Sequence, residues 1–208
     1  MNGKCSEIYD ILSGIIENPV CELKFNNNFE LLVAVVLSAQ CTDKRVNMVT
    51  KELFKKYDTP QKLASASIED IEAIIKPCGF FKTKAKHLKE LSVDIVERFN
   101  GLVPNNMDDL RSLSGVGQKT ANVVLAEAYG CPTIAVDTHV FRVSNRLGIA
   151  HSNNVEEVEE QLKNNFDKDK WIKLHHMLIL FGRYYCKSRS PKCENCKLKK
   201  YCLKWKEE

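Results

Sequence analysis

The chain has 208 residues, 44% of them hydrophobic, which is enough for a sizeable core in one domain or two small ones and excludes a disordered chain. Thirty-one basic residues against 27 acidic ones give a formal charge of +4, so an anionic partner is permitted and not demanded. No run of about 18 uncharged apolar residues occurs, and residues 1–20 are broken by acidic and polar side chains where a signal peptide would be continuous, so a soluble, intracellular protein is expected.

Apolar residues recur at intervals of three and four and alternating runs are nearly absent, which predicts an all-α chain of roughly nine or ten helices joined by short loops. Asn26, Asn27 and Asn28 are candidate caps for FELLVAVVLSAQ, Phe29 to Gln40, which is apolar nearly all round and therefore predicted as a core helix with a polar end. Thr59-Pro60 places a cap before a first-turn proline, and Ser67 to Asp70 resembles a capping box. GFFKTKA, Gly79 to Ala85, begins a run with Lys82, Lys84 and Lys86, which suits phosphate contact or, by default, a solvated helix face. Gly101, Gly130 and Gly148 stand where helices should stop, and Asn154 to Glu157 resembles a second capping box.

NMDDLRSL, Asn106 to Leu113, has the form of a short capped helix, and LSGVGQKTANVV follows to Val124. A phosphate loop ending in Lys119-Thr120 is excluded, because Leu113 and Gln118 stand where it requires glycine. The unit is instead helix, tight glycine hairpin, helix. Gly115 and Gly117 allow a sharp turn and close approach of a ligand to the main chain, and the amides add to the positive end of the next helix. With no base-reading side chain present, the natural target is a nucleic-acid phosphate contacted without regard to sequence. LSGVGQKTA resembles the helix-hairpin-helix motif of DNA repair proteins, including Leu113 and Val116, the apolar residues that pin the hairpin.

Lys119 sits at the unfavourable end of a helix dipole for an ammonium group, and partial burial would further free its amine to act as a nucleophile. A solvated lysine or a plain phosphate contact is the competing account. Eighteen residues on, TIAVDTHVFRVSNRLG places Asp137 at the start of another helix. Aspartate there is a good cap, and it can also accept a proton from an amine or stabilise positive charge developing on a sugar. His139 is expected to be structural, and Arg142 and Arg146 to be surface or ion-pair residues.

Of nine cysteines, Cys5, Cys21, Cys41, Cys78 and Cys131 are scattered and read as buried thiols in a reducing compartment. Cys186, Cys193, Cys196 and Cys202 have the spacing C-x6-C-x2-C-x5-C, which points to a closed metal site. Only Cys193 to Cys196 has zinc-knuckle spacing and the bacterial ferredoxin pattern does not fit, so spacing alone leaves the metal open. The intervening KSRSPK holds Lys187, Arg189 and Lys192, with Arg183, Lys197, Lys199 and Lys200 nearby, a basic patch that a metal would order before it meets phosphates.

LLVAVVLSAQCTD, LSGVGQKTANVV, TIAVDTHVFRV, HHMLILFGRYYC and the terminal cysteines together resemble, in order and spacing, the endonuclease III family of base-excision repair DNA glycosylases. The resemblance extends over nearly the whole chain. It implies two all-α domains with a DNA-binding groove between them: residues 21–131, a six-helix domain carrying the helix-hairpin-helix, and residues 1–20 plus 132–208, carrying a C-terminal iron-sulfur cluster loop. It implies a [4Fe-4S] cluster on the four terminal cysteines and a bifunctional enzyme that removes oxidised pyrimidines. Lys119 would attack C1′ of a damaged nucleotide and form an imine, Asp137 would assist, and β-elimination would cut the strand on the 3′ side. The nucleotide must leave the stack for this. Gln40 matches the inserted glutamine, and Phe80 stands where a second wedge is commonly leucine, so an aromatic wedge is expected. Asp43 matches an acidic residue near the lesion pocket, although capping the next helix would also explain it, and His139 is a second candidate there. The implied partner is double-stranded DNA with damaged bases or abasic sites, with no membrane, a monomeric protein, and a cytoplasmic, nucleoid-associated location in a bacterial source. A monofunctional or mismatch-type glycosylase, a non-catalytic DNA-binding module and a metal-dependent nuclease are the competing classes, and the lysine discriminates among them.

Overall fold

Side-chain caps and left-handed stops cut this chain into helices at nearly every boundary. The computed structural model describes residues 3–206, and every regular element among them is helical, with no strand. In chain order these are α1 (Gly3–Ile15), α2 (Asn28–Ser38), α3 (Asp43–Lys56), α4 (Pro60–Ser65), α5 (Ile68–Ile75), α6 (Phe81–Arg98), α7 (Met107–Arg111), α8 (Gln118–Tyr129), α9 (Thr138–Leu147), α10 (Val155–Asn165), α11 (Trp171–Tyr184) and α12 (Leu203–Lys206). Short 3-10 turns lie at Lys168–Lys170 and Lys199–Tyr201. The count exceeds nine or ten because α4, α7 and α12 have six, five and four residues, too few to display a period. The predicted caps are present: Thr59, Ser67, Asn106 and Asn154 each accept a bond from the amide three residues on, while Gly130 and Gly148 close α8 and α9 in left-handed conformation.

The chain forms two compact units: Glu22–Cys131, called here the hairpin unit, and residues up to Cys21 together with those from Pro132 onward, the terminal unit. At the centre of the hairpin unit lies α2, every residue of which from Phe29 to Leu37 is buried. It packs against α3, α6 and α8. Its first turn is held by Asn27, whose Oδ1 accepts from the Glu30 amide at 2.9 Å, while the buried Glu30 carboxylate accepts from the Asn26 amide at 2.7 Å. Its last turn is closed by a residue from another helix. Lys84 of α6 is 5% exposed and donates through Nζ to Leu37 O at 2.9 Å and Ala39 O at 2.7 Å. Lys84 is thus a helix cap and not part of a solvated or phosphate-facing row, although Lys82 and Lys86 remain exposed. The helix also stops earlier than the apolar run suggested, at Ser38, and Gln40 lies beyond it in a left-handed turn.

In the terminal unit, α1 contributes Ile8 and Leu12 to a core completed by Val140, Val143 and Leu147 of α9 and Leu174, Met177, Leu178 and Phe181 of α11. Close packing of α9 on α11 depends on Gly182, where a Cβ would stand 3.0 Å from His139 Cβ and 3.1 Å from Val143 Cγ2. No helix among the described residues is long and apolar enough to cross a membrane. The scattered cysteines are only partly as expected: Cys5 and Cys78 are buried, whereas Cys21, Cys41 and Cys131 are half-buried.

Lys84→Met leaves the last carbonyls of α2 without donors in a buried place, so urea denaturation should show a loss of about 2–4 kcal/mol. A change below about 0.5 kcal/mol would show that this cap is not needed.

Candidate nucleic-acid interface and cysteine loop

The hairpin between α7 and α8 is held from below and open above. Leu113 and Val116 are buried at 2% and 6% exposure, so their side chains anchor the turn and only their main chain can face a ligand. Gly115 has φ +77°, and a Cβ there would meet His87 of α6 at 2.9 Å, so both backbone and packing require glycine. Ser114 Oγ donates to Glu90 Oε2 at 2.7 Å and fixes the hairpin to the same helix. Gly117 is different: its φ of −93° and ψ of 179° suit any residue, and a Cβ there would point into open space. The fold does not need glycine at 117. Lys119 follows in the first turn of α8 and is exposed, so the partial burial invoked from sequence is not found.

The two expected wedge residues occupy neighbouring turns of the hairpin unit. Gln40, between α2 and α3, has φ 53°, and Phe80, between α5 and α6, has φ 57°. Both are exposed, Phe80 at 68%, and the turns touch: a Cβ on Gly79 would lie 3.9 Å from Gln40 O. Two non-glycine residues in left-handed backbone, one of them a bare phenylalanine, mark a place held under strain. Asp43 does not cap α3; Thr42 does, accepting from the Arg45 amide at 3.4 Å, and Asp43 is the first helical residue. The capping account of Asp43 is therefore set aside.

In the terminal unit, Asp137 caps α9 with one oxygen. Oδ1 accepts from the His139 and Val140 amides, both at 2.8 Å, and Oδ2 has no hydrogen-bond partner among the described residues. His139 Nδ1 lies 3.1 Å from Arg142 Nη2, and burial pushes its imidazole below the usual histidine range, so the folded protein holds a neutral ring facing a guanidinium. That is a packed, structural histidine.

Arg142 and Arg146 are not the surface residues expected. Arg142 donates through Nε to Cys186 O at 3.1 Å and through Nη2 to Gly182 O at 2.9 Å. Arg146 Nη1 donates to Cys186 Sγ at 3.3 Å and to Lys187 O at 2.8 Å. One stretch of α9 thus holds the start of the cysteine loop, a role invisible in sequence because its acceptors are carbonyls and one sulfur some forty residues away. At the other end of the loop, Leu198 is fully buried and Tyr201 and Lys200 both donate to the Glu7 carboxylate of α1. All four terminal cysteines are free and half-buried. Burial raises the Cys196 thiol above its ordinary range, and Cys186, Cys193 and Cys202 push it in the same direction. Among the described residues no set of three or more His, Cys, Asp or Glu is drawn in to the spacing of a single bound ion. Four soft thiols in one loop, with a guanidinium donating to one sulfur, are a donor set that suits either an iron-sulfur cluster or zinc. Lys187, Arg189 and Lys192 project from the same loop and are exposed.

Residues 33–168 match the HhH-GPD superfamily of base excision DNA repair proteins. Endonuclease III of Bacillus subtilis (strain 168) is 48% identical over 194 residues, spanning 93% of this chain and 89% of the relative. A solved non-covalent endonuclease III–DNA complex superposes with a TM-score of 0.95 at 45% identity, covering 100% of this chain and 98% of that one. A trapped endonuclease III–DNA covalent intermediate gives 0.94 at the same identity, covering 100% and 99%. Identity of this level across nearly the whole of both chains places the present chain in the endonuclease III family of the HhH-GPD superfamily.

Proposed function

We propose that this chain is a bifunctional DNA glycosylase and abasic-site lyase of base excision repair that removes oxidised pyrimidines, with Lys119 as nucleophile and Asp137 as its carboxylate partner. The observation that carries this reading is the exposed Lys119 amine, two residues past a Gly117 that the fold itself leaves unconstrained. Glycine without a folding reason is accounted for by a DNA phosphate approaching the amides of Gly117 and the start of α8. The phosphate then sets the damaged nucleotide beside the amine.

Lys119 Nζ in its free-amine form attacks C1′, the C1′–N bond breaks, and the base leaves carrying a proton. The secondary amine opens the sugar to an imine, a C2′ proton is removed, and the C3′–O bond breaks by β-elimination. Asp137 supports these steps with Oδ2 while Oδ1 keeps α9 capped. Gln40 and Phe80 fill the space left by the extruded nucleotide, and Asp43 borders the lesion pocket. Cys186, Cys193, Cys196 and Cys202 would hold a [4Fe-4S] cluster, whose thiolate bonds supply a fixed fold for the loop. Lys187, Arg189 and Lys192 then meet phosphates with little ordering cost, and the protein acts as a monomer on double-stranded DNA, in the cytoplasm where the source is bacterial.

Borohydride reduction on a duplex carrying one thymine glycol should trap a covalent adduct with the wild type and none with Lys119→Gln. Absence of an adduct from cluster-loaded wild type, on an abasic duplex as well, would leave a monofunctional glycosylase or a binding module. Asp137→Asn should keep thermal stability to within about 0.5 kcal/mol, because asparagine caps as well as aspartate, while single-turnover base release falls by about a hundredfold or more. Loss of both together would mean that capping is the whole role.

Gly117→Ala should cost at most about 1 kcal/mol of stability and weaken duplex binding about tenfold, whereas Gly115→Ala should cost about 1–3 kcal/mol. Equal behaviour of the two would remove Gly117 from the interface. Arg146→Leu takes away the donor to Cys186 Sγ, so iron and acid-labile sulfide should be lost faster under chelation than from wild type. Unchanged loss kinetics would show that the guanidinium does not stabilise the cluster.

A further inference from the structure

Two thiols outside the chemistry described so far stand against each other in the hairpin unit. Cys41 follows Gln40 directly in the turn after α2, and Cys78 precedes Phe80 by two residues in the turn after α5. Their Sγ atoms lie 3.7 Å apart, within sulfur hydrogen-bonding distance. Cys41 is half-buried and open to a small reagent, whereas Cys78 is 1% exposed. Burial, and then the hydrogen bond to Cys41, push the Cys78 thiol up to about 11, so it remains protonated at neutral pH. The pair is therefore asymmetric: one sulfur can meet an oxidant and the other can only resolve what forms.

We infer that Cys41 and Cys78 are a redox modification site, oxidised by a low-molecular-weight disulfide to an intramolecular disulfide that staples the Gln40 turn to the Phe80 turn. Cys41 as thiolate attacks one sulfur of the reagent, giving a mixed disulfide and releasing one thiol. Cys78 then attacks Cys41 Sγ; the new S–S bond forms, the mixed disulfide breaks, and the Cys78 proton leaves with the second released thiol. Two protein thiols are oxidised and one reagent disulfide is reduced to two thiols.

Closure to the ordinary bond length of about 2.05 Å shortens the 3.7 Å separation by about 1.7 Å. The turns already touch, through Gly79 and Gln40 O, and neither Gln40 nor Phe80 lies within a helix that could resist the pull. The two residues therefore shift and lose freedom together. This functional half rests on the proposed wedge role of Gln40 and Phe80: a stapled pair cannot part to admit an opened base stack, and binding to a lesion weakens. Exposure to an oxidising disulfide pool would then lower repair by this enzyme until the bond is reduced.

The test treats cluster-loaded holoprotein with oxidised glutathione, blocks remaining thiols with N-ethylmaleimide and maps peptides by mass spectrometry, with visible absorbance checking that the cluster survives. A cross-linked Cys41–Cys78 peptide is expected from wild type, and arrest at glutathionylated Cys41 from Cys78→Ser. Finding both thiols blocked in wild type, or a lasting glutathione adduct on Cys41 beside a blocked Cys78, overturns the inference. In parallel, fluorescence anisotropy on a duplex with an abasic analogue should show wild-type affinity falling about tenfold on oxidation and returning with dithiothreitol, with Cys41→Ser, in which only the buried Cys78 thiol remains, unaffected. A confirmed disulfide with unchanged affinity overturns the functional half alone. Reduced wild type that fails to bind the duplex overturns the proposed function, and the functional half with it, while the peptide map still decides the disulfide.

Discussion

A helix that is apolar on every face has no side on which to place a polar group, so whatever it offers to chemistry must be offered at its ends. That constraint operates in α2, where the whole length from Phe29 to Leu37 is buried. Its first turn is satisfied by Asn27 and Glu30, and its last by Lys84 reaching across from α6. With the axis so fixed, the residue that follows, Gln40, is delivered at a defined position and in a conformation that a mobile loop would relax. The same α6 that supplies the cap begins immediately after Phe80 and, two turns on, presents His87 and Glu90 to the hairpin. One buried helix and one long neighbour therefore locate both exposed turns and the glycine hairpin against a common frame.

The terminal unit solves a different problem with α9. Its first residue is organised by Asp137, and one and two turns on, Arg142 and Arg146 take hold of carbonyls and a sulfur at the head of the cysteine loop. A guanidinium can do this because its donors form a planar fork that reaches several acceptors at once; a lysine would meet one. His139, against Arg142, is held toward the neutral form by burial, which avoids a further positive charge in a half-buried place. The carboxylate and the loop are thus placed by a single rigid element whose approach to α11 is set by Gly182.

Helix ends were the most legible feature of the sequence, because capping chemistry is local: Asn27, Thr59, Ser67, Asn106, Asn154 and Asp137 all cap where composition indicated. The glycine hairpin was legible for the same reason. What could not be read were roles set by distant main-chain partners. Lys84 looked like its neighbours Lys82 and Lys86 until α2 was seen to end beneath it, and Arg142 and Arg146 looked like surface charge because a carbonyl acceptor leaves no trace in sequence. The Cys41–Cys78 contact is of this kind as well: 37 residues separate the two sulfurs, and neither carries a local signal. Exposure of Lys119 was left open by the sequence, because helix position fixes orientation along the axis and says nothing of what covers the side chain.

Gln40 and Phe80 both occupy backbone that glycine would adopt without strain, and neither contributes a buried side chain to the core. Each such residue costs about 1–2 kcal/mol of folding free energy relative to glycine. Selection for stability alone would therefore favour glycine at these two positions, as it would at Ser190, whose φ of 48° is also left-handed. Side chains carried at that cost are expected where an exposed turn serves something other than folding, which is the wedge role proposed for Gln40 and Phe80.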